Sequence, residues 1–426
     1  MKILHLSTAE TIGGAALAAN RLHKGLQKAG IQSRMLVYLK KTDDWSVYGP
    51  KTKLDKYLYH WNTIYNSIPV LFYTSRKQTL FSPAVTTNAD ISIINEFNPD
   101  IVHVHWIGKG FFSIKSLKKI GKPILWTLHD MWPFTGGCHY DEGCGKYETT
   151  CGACPQLGSH RLHDLSYKIL GQKARNWKDI GITIVTPSNW LAGCARNSSL
   201  FRNNDIHVVP NGLDLEIYKP MNKETARQLW SLSPEKKYIL FGAVKATDDR
   251  RKGFYILSQA LKLLAEISRD KSIELIIFGA TEPEISVNYD FKVHFMGELH
   301  DDVSLVSLYS AVDVFVAPSQ QDNLPNTVIE SMSCSVPVVA FEVGGMPDMI
   351  DHMVNGYLAR PFSPDDMAYG IHWVLEDSER HQQLSGSALS KVKNTFDLQR
   401  SIEQYNRLYQ VLLKKNLSGN IQNQEG

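Results

Sequence analysis

Asp322 and Glu330 stand eight positions apart in "SQQDNLPNTVIESMSCSVPVVAF" (319–341). The stretch reads as a strand ending at Pro318, a loop carrying Asp322, and a helix beginning near Asn326 with Glu330 one turn inside. A helix start offers unpaired backbone N–H groups and the positive end of a dipole, which suit a phosphate; Asn326 and Thr327 stand there. A carboxylate close by can accept hydrogen bonds from sugar hydroxyls. Together these features describe a cradle for a nucleotide sugar. The plain alternative is that Asn326 only caps a helix and Glu330 lies in solvent.

"FGAVKATDDRRKGF" (241–254) follows another strand-like run. A departing nucleoside diphosphate gains negative charge and needs cations and N–H dipoles to stabilise it. Lys252 suits that role, with Lys245 or Arg251 as a second cation, although a "DDRRK" run also fits a solvated loop. Gly13-Gly14, between the first strand and its helix, would let backbone approach a phosphate or an acceptor closely, or simply permit a tight turn. His129-Asp130 ends the strand-like run "PILWTLH". His103 and His105, inside "DIVHVHW", read as satisfied core histidines.

Four of the six cysteines, Cys138, Cys144, Cys151 and Cys154, follow in the pattern C-x5-C-x6-C-x2-C. Four thiolates can make a closed, structural zinc site, whereas a catalytic zinc keeps one position open. A disulfide or redox-active pair and inert buried thiols are the alternatives.

These groups need elements to hold them. "KILHLST" (2–8), a helix stripe of Leu17, Leu22 and Leu26, a cap at Gly30 and "SRMLVYL" (33–39) form a βαβ unit. Strand-like runs recur at 100–106, 123–129, 182–188 and 206–212. After a connector at 210–220 the rhythm restarts at 238–243, 273–280, 292–297, 313–319 and 336–341, with helices over 253–266, 303–310 and 326–333. Apolar strands alternating with helices imply parallel sheets covered on both faces. The expectation is an α/β chain of two doubly wound, Rossmann-like domains: 1–212 on the acceptor side, 213–395 for the donor, and 396–426 as a returning helix with a polar tail. Ligands would then sit in the crevice at the carboxyl ends of the strands.

The 426 residues require more than one core, and 43% hydrophobic with 21% charged content is that of a folded globular protein. A net charge of +3 gives no basis for a nucleic-acid partner. Polar residues interrupt the N-terminal apolar run, no run is long enough to span a membrane, and the clustered cysteines fit a reducing compartment. A cytoplasmic protein is expected, with at most peripheral contact at the inner face of a membrane. "KTKLDKYLYHWNTIYNSIPVLFYTSRK" (51–77) carries six aromatics among basic residues. It reads either as an inserted helix with its aromatics in the core, the expectation here, or as a surface for a membrane or lipid-linked substrate.

From the first glycine pair to about residue 375, the sequence resembles the retaining family-4 glycosyltransferases of the GT-B fold. Their E-x7-E motif appears here as Asp322 and Glu330, with Ser335 in place of a usual glycine before "PVVA". The resemblance implies that Glu330 holds the donor ribose and that Asp322 and His129 lie at the donor sugar. It also implies that Lys252 grips the diphosphate, and here Ala243 replaces the usual arginine partner. The segments "HDMWPFTGGCHY" and "CGACPQLG" are similar to those of transferases for bacterial exopolysaccharide and O-antigen. The implied activity is metal-independent transfer, with retention, from a UDP- or GDP-linked sugar to a glycan or lipid-linked saccharide. A sugar-nucleotide epimerase and a non-catalytic sugar- or metal-binding protein are the rival readings.

Overall fold

Parallel strands buried on both faces need apolar side chains without alternation, and most strand-like runs of this chain are of that kind. In the computed structural model, which describes residues 1–87, 89, 91–242, 249–268, 271–280, 291–299 and 301–422, they build two sheets. The chain divides into one unit of Met1–Pro210 with Ser401–Gly426 and another of Asn211–Arg400.

The first sheet contains β1 (Lys2–Ala9), β2 (Gln32–Leu39), β3 (Val47–Tyr48), β4 (Ile101–Val104), β5 (Ile124–Thr127), β6 (Ile182–Thr186) and β7 (Ile206–Val208). Its order is β3-β2-β1-β4-β5-β6-β7, and every pairing is parallel. Strand order reverses at β1, so the loops after β1 and β4 leave the sheet side by side. The short β3 was not among the expected runs. Helix Leu398–Gln422 sends Tyr405 and Tyr409 to this unit, where their hydroxyls reach Thr127 Oγ1 at 2.9 Å and His103 Nδ1 at 2.7 Å.

The second sheet contains β8 (Lys237–Gly242), β9 (Ile273–Phe278), β10 (Lys292–Phe295), β11 (Val314–Ala317), β12 (Val338–Phe341) and β13 (Gly356–Ala359). Its order is β10-β9-β8-β11-β12-β13, again all parallel. Here the reversal falls at β8, which brings the loops after β8 and β11 together. The unit boundaries fall at 210 and 400 because residues near 212 and 396 are tied to each other. Leu213 N–H donates to Phe396 O at 2.8 Å, and Leu398 N–H donates to Leu213 O at 3.0 Å.

The aromatic segment corrects one expectation. It forms the helix Lys53–Leu71, opened by a Thr52/Asp55 capping box, but most of its aromatics do not enter the core. Tyr57, Trp61, Tyr65 and Phe72 are exposed, Trp61 by 69% and Phe72 by 81%. With Leu54, Leu58, Ile64, Ile68 and Leu71 they make one helical stripe facing outward. The reason lies on the opposite face, where buried Asn66 anchors the helix. Its side chain donates to Asn62 O at 2.8 Å and accepts from Val85 N–H at 2.8 Å.

Candidate functional site

In the second unit, the loops after β8 and β11 are strapped together. Lys252 Nζ lies 2.7 Å and Arg251 Nη1 3.1 Å from Asp322 Oδ2, while Gln320 N–H donates to Arg251 O at 2.8 Å. Arg251 also pairs with Asp249 at 3.2 Å and donates to Gln321 O at 3.1 Å. Gly253, at φ +75°, permits this approach, because a Cβ there would stand 1.8 Å from Pro318 O. Burial alone would raise the pKa of Asp322, but Lys252 and then Arg251 outweigh it and hold the carboxyl well below the usual range. Asp322 takes one of the three donors of the Lys252 ammonium.

Glu330 is buried, 3% exposed, on the helix Asn326–Ser333, and accepts from Tyr309 O–H at 3.2 Å. It is therefore not the solvent carboxylate of the plain reading. Asn326 is the first helical residue rather than the cap; the cap position is Pro325, and no side chain caps this end. Its leading N–H groups suit an anion. Thr327 follows on the same turn. Lys245 and Ala243 lie outside the described residues.

In the first unit, Gly13 adopts φ +88° at the start of helix Gly14–Lys28, which also lacks a side-chain cap. His129 follows β5, and its Nε2 lies 3.1 Å from His105 Nδ1; burial brings its pKa down to about 4. Asp130 serves the cysteine loop instead. Its carboxylate pairs with His139 Nδ1 at 2.7 Å and accepts from Trp106 Nε1–H at 2.8 Å and Trp132 N–H at 2.9 Å.

All four clustered cysteines line one cavity of about 20 Å³, together with Thr135, Asp141, Lys146, Tyr147 and Ser166. None is disulfide-bonded. Burial raises the thiol of Cys138 and pushes that of Cys151 up to about 11. Beside them Lys173 is fully buried, donates to Trp132 O and to Thr135 O, and has its pKa brought down by burial to about 7. Among the described residues, no three of these thiols lie within 4.8 Å of one another. Among the described residues, only His5, His103 and His105 bring three possible ligand atoms within 4.8 Å of one another.

Sequence reasoning missed the Lys252–Asp322 pair, Lys173 and the histidine contacts. A lysine on the same stripe as Ile169, Leu170 and Trp177 of helix Leu165–Trp177 was the available signal for Lys173. Nothing local marks the other two, because sheet order creates them.

Two family models match the chain: Glycosyltransferase Family 4 over residues 12–217 and Glycosyl transferases group 1 over residues 235–377. The chain is 24% identical to WcaC of Escherichia coli, described as a colanic acid biosynthesis glycosyl transferase, over 97% of this chain and 100% of that protein. It is 27% identical to the lipopolysaccharide 1,2-N-acetylglucosaminetransferase of Salmonella typhimurium over 42% of this chain and 49% of that one. Among solved structures, sucrose-phosphate synthase of Thermosynechococcus elongatus aligns at TM-score 0.68 and 18% identity, covering 97% of this chain and 100% of that one. Anabaena HepE in complex with UDP-glucose aligns at 0.61 and 16%, covering 98% and 100%. These structural likenesses speak for a two-domain GT-B fold.

Asp322→Asn leaves Lys252 and Arg251 without their shared carboxylate. Urea unfolding should show a loss of roughly 2 kcal/mol at neutral pH. A depressed carboxyl stabilises fully above its unfolded value, and that contribution fades as pH falls. The gap between variant and wild type should therefore narrow below about pH 4. A constant gap would contradict the ion-pair account.

Proposed function

We propose that this chain, which belongs to the family-4 glycosyltransferases of the GT-B fold, holds a UDP- or GDP-linked sugar on Lys252, Glu330 and the helix start at Asn326 and Thr327. It passes the sugar, with retention, to a glycan or lipid-linked saccharide in polysaccharide synthesis. The observation that carries this reading is the buried Glu330 on an uncapped helix end in the unit where Lys252 and Asp322 are joined. Both matched models describe transferases, which favours transfer over an epimerase or a non-catalytic binder.

In this mechanism the acceptor hydroxyl oxygen bonds to the anomeric carbon as the bond from that carbon to the diphosphate breaks. The leaving phosphate takes the hydroxyl proton from the same face, so no protein nucleophile is formed. Lys252, with Arg251 behind it, and the helix N–H groups stabilise the charge that develops on the phosphate. Glu330 accepts from the ribose hydroxyls. Asp322 orients the cations beside the donor sugar. No metal takes part in the transfer.

The cysteines take a separate, structural role, holding a zinc that fixes the loop after His129. Their shared cavity and the buried Lys173, a counter-charge for thiolates, support this; binding would draw the thiols inward and release their protons. The exposed stripe of helix Lys53–Leu71 takes the surface of an anionic bilayer, as expected of a cytoplasmic enzyme using a lipid-linked acceptor. Its apolar side chains and the flanking basic sequence support that occupant, and among the described residues no helix is long and apolar enough to cross a membrane.

Four measurements test these readings. Titration calorimetry with a panel of sugar nucleotides should give donor binding that weakens at least about tenfold in Lys252→Ala and in Glu330→Ala, and NMR of the product should show the donor's anomeric configuration. Wild-type affinity in both variants, or inversion, would refute the corresponding assignment. Metal analysis should find zinc that disappears when all four cysteines become serine; a folded protein purified without metal would end the zinc proposal. Sedimentation with anionic vesicles should pull down the wild type, and a Trp61→Ser, Phe72→Ser double variant should stay in solution. Equal partition of both would remove the membrane contact.

A further inference from the structure

Glu330 sits on a helix of eight residues, Asn326–Ser333, and its backbone is tied down there, with Ser333 O–H donating to Glu330 O at 2.6 Å. A glutamate side chain still has several rotatable bonds, so contacts beyond its own helix must choose where the carboxylate points. Tyr309 makes such a contact. It lies on helix Asp302–Ala311, whose residues from Val306 to Ala311 are all buried, and its hydroxyl donates to Glu330 Oε2 at 3.2 Å across 21 positions of sequence.

The Tyr309 ring has little freedom to move. It is fully buried and stands edge-to-face with Phe278 of β9 and with Phe315 of β11, the centroids 6.0 Å apart in each pair. Phe278 is itself seated over Gly242 at the end of β8, where an added Cβ would come within 2.1 Å of the ring. Packing therefore sets where the hydroxyl lies, and chemistry sets what it does. Burial, and then the neighbouring Glu330, push the phenol well above the usual tyrosine pKa, so it keeps its proton at neutral pH. A phenol that keeps its proton can donate and a carboxylate can only accept, which gives the bond one direction.

We infer that Tyr309 is a positioning residue that holds the Glu330 carboxylate for the ribose hydroxyls of the donor, so that the second unit selects ribonucleotides over 2′-deoxyribonucleotides. The inference rests on the reading of Glu330 as the group that holds the ribose. A carboxylate has about four acceptor positions, and the Tyr309 bond takes one of them, on Oε2. Orienting the group before the nucleotide arrives removes the cost of ordering it on binding. The diphosphate contacts assigned to Lys252 belong to other loops, so the Tyr309 hydroxyl acts on the ribose end of the ligand.

Titration calorimetry of the full chain with UDP, GDP and their 2′-deoxy forms tests this, read as the ratio of deoxy to ribo Kd for whichever base binds. The wild type should give a ratio of at least about 10. In Tyr309→Phe, which keeps the ring and removes the hydroxyl, the ratio should fall by at least about threefold. A general loosening of the fold would weaken both nucleotides alike and leave the ratio unchanged; a misplaced carboxylate lowers it. A ratio retained in Tyr309→Phe but lost in Glu330→Ala would overturn the positioning role and leave the Glu330 assignment standing. A ratio retained in both variants, a ratio near one in the wild type, or binding of neither base would overturn both. Should Tyr309→Phe not fold, Phe278→Leu, which keeps the hydroxyl but loosens the ring, gives the deciding ratio, and a wild-type value there overturns the proposal.

Discussion

The ion pair between Lys252 and Asp322 joins two loops that are 70 residues apart in sequence, and the candidate donor site depends on that junction. The pair can form because β8 and β11 are neighbours where strand order reverses, so the loops that follow them leave the sheet together. Gly253 then lets one backbone lie against the other, and Gly344 does the same for Asp322, where an added Cβ would stand 2.0 Å from its carbonyl oxygen. With these contacts in place, the cations are set in position before a ligand arrives, and little reorganisation remains to be done on binding.

The first unit uses the same topological device for a different end. Its reversal at β1 places the histidines of neighbouring strands in contact, and helix Leu398–Gln422 brings the Tyr409 hydroxyl to His103 and the Tyr405 hydroxyl to Thr127. Asp130, although adjacent in sequence to His129, turns to His139, Trp106 and the cysteine loop. Two consecutive residues thus serve two networks. The charge of Asp130 still raises the His129 pKa, but burial outweighs it and keeps the imidazole neutral near pH 7.

Much of this architecture was readable in the sequence, because apolar strand-like runs alternating with helical segments imply parallel sheets covered on both faces. Asp322, Glu330 and their helix could be read locally, since strand, loop and helix start lie within one short stretch. The Ser335 position was marked by its departure from a usual glycine, and the backbone there is left-handed at φ +61°. The pairings of Lys252 with Asp322 and of His105 with His129 could not be read, because they depend on which strands become neighbours. The outward face of helix Lys53–Leu71 was misjudged for a related reason. A helical period shows that one face is apolar, but here buried Asn66 decides which face docks.

The central claim is that Lys252, Glu330 and the start of helix Asn326–Ser333 form the donor site. A crystal structure with a nucleoside diphosphate bound tests it most directly. The account predicts diphosphate oxygens within hydrogen-bonding reach of Lys252 Nζ and the leading N–H groups of that helix, with the ribose hydroxyls on Glu330. A nucleotide bound with Lys252 and Glu330 both out of reach would contradict it.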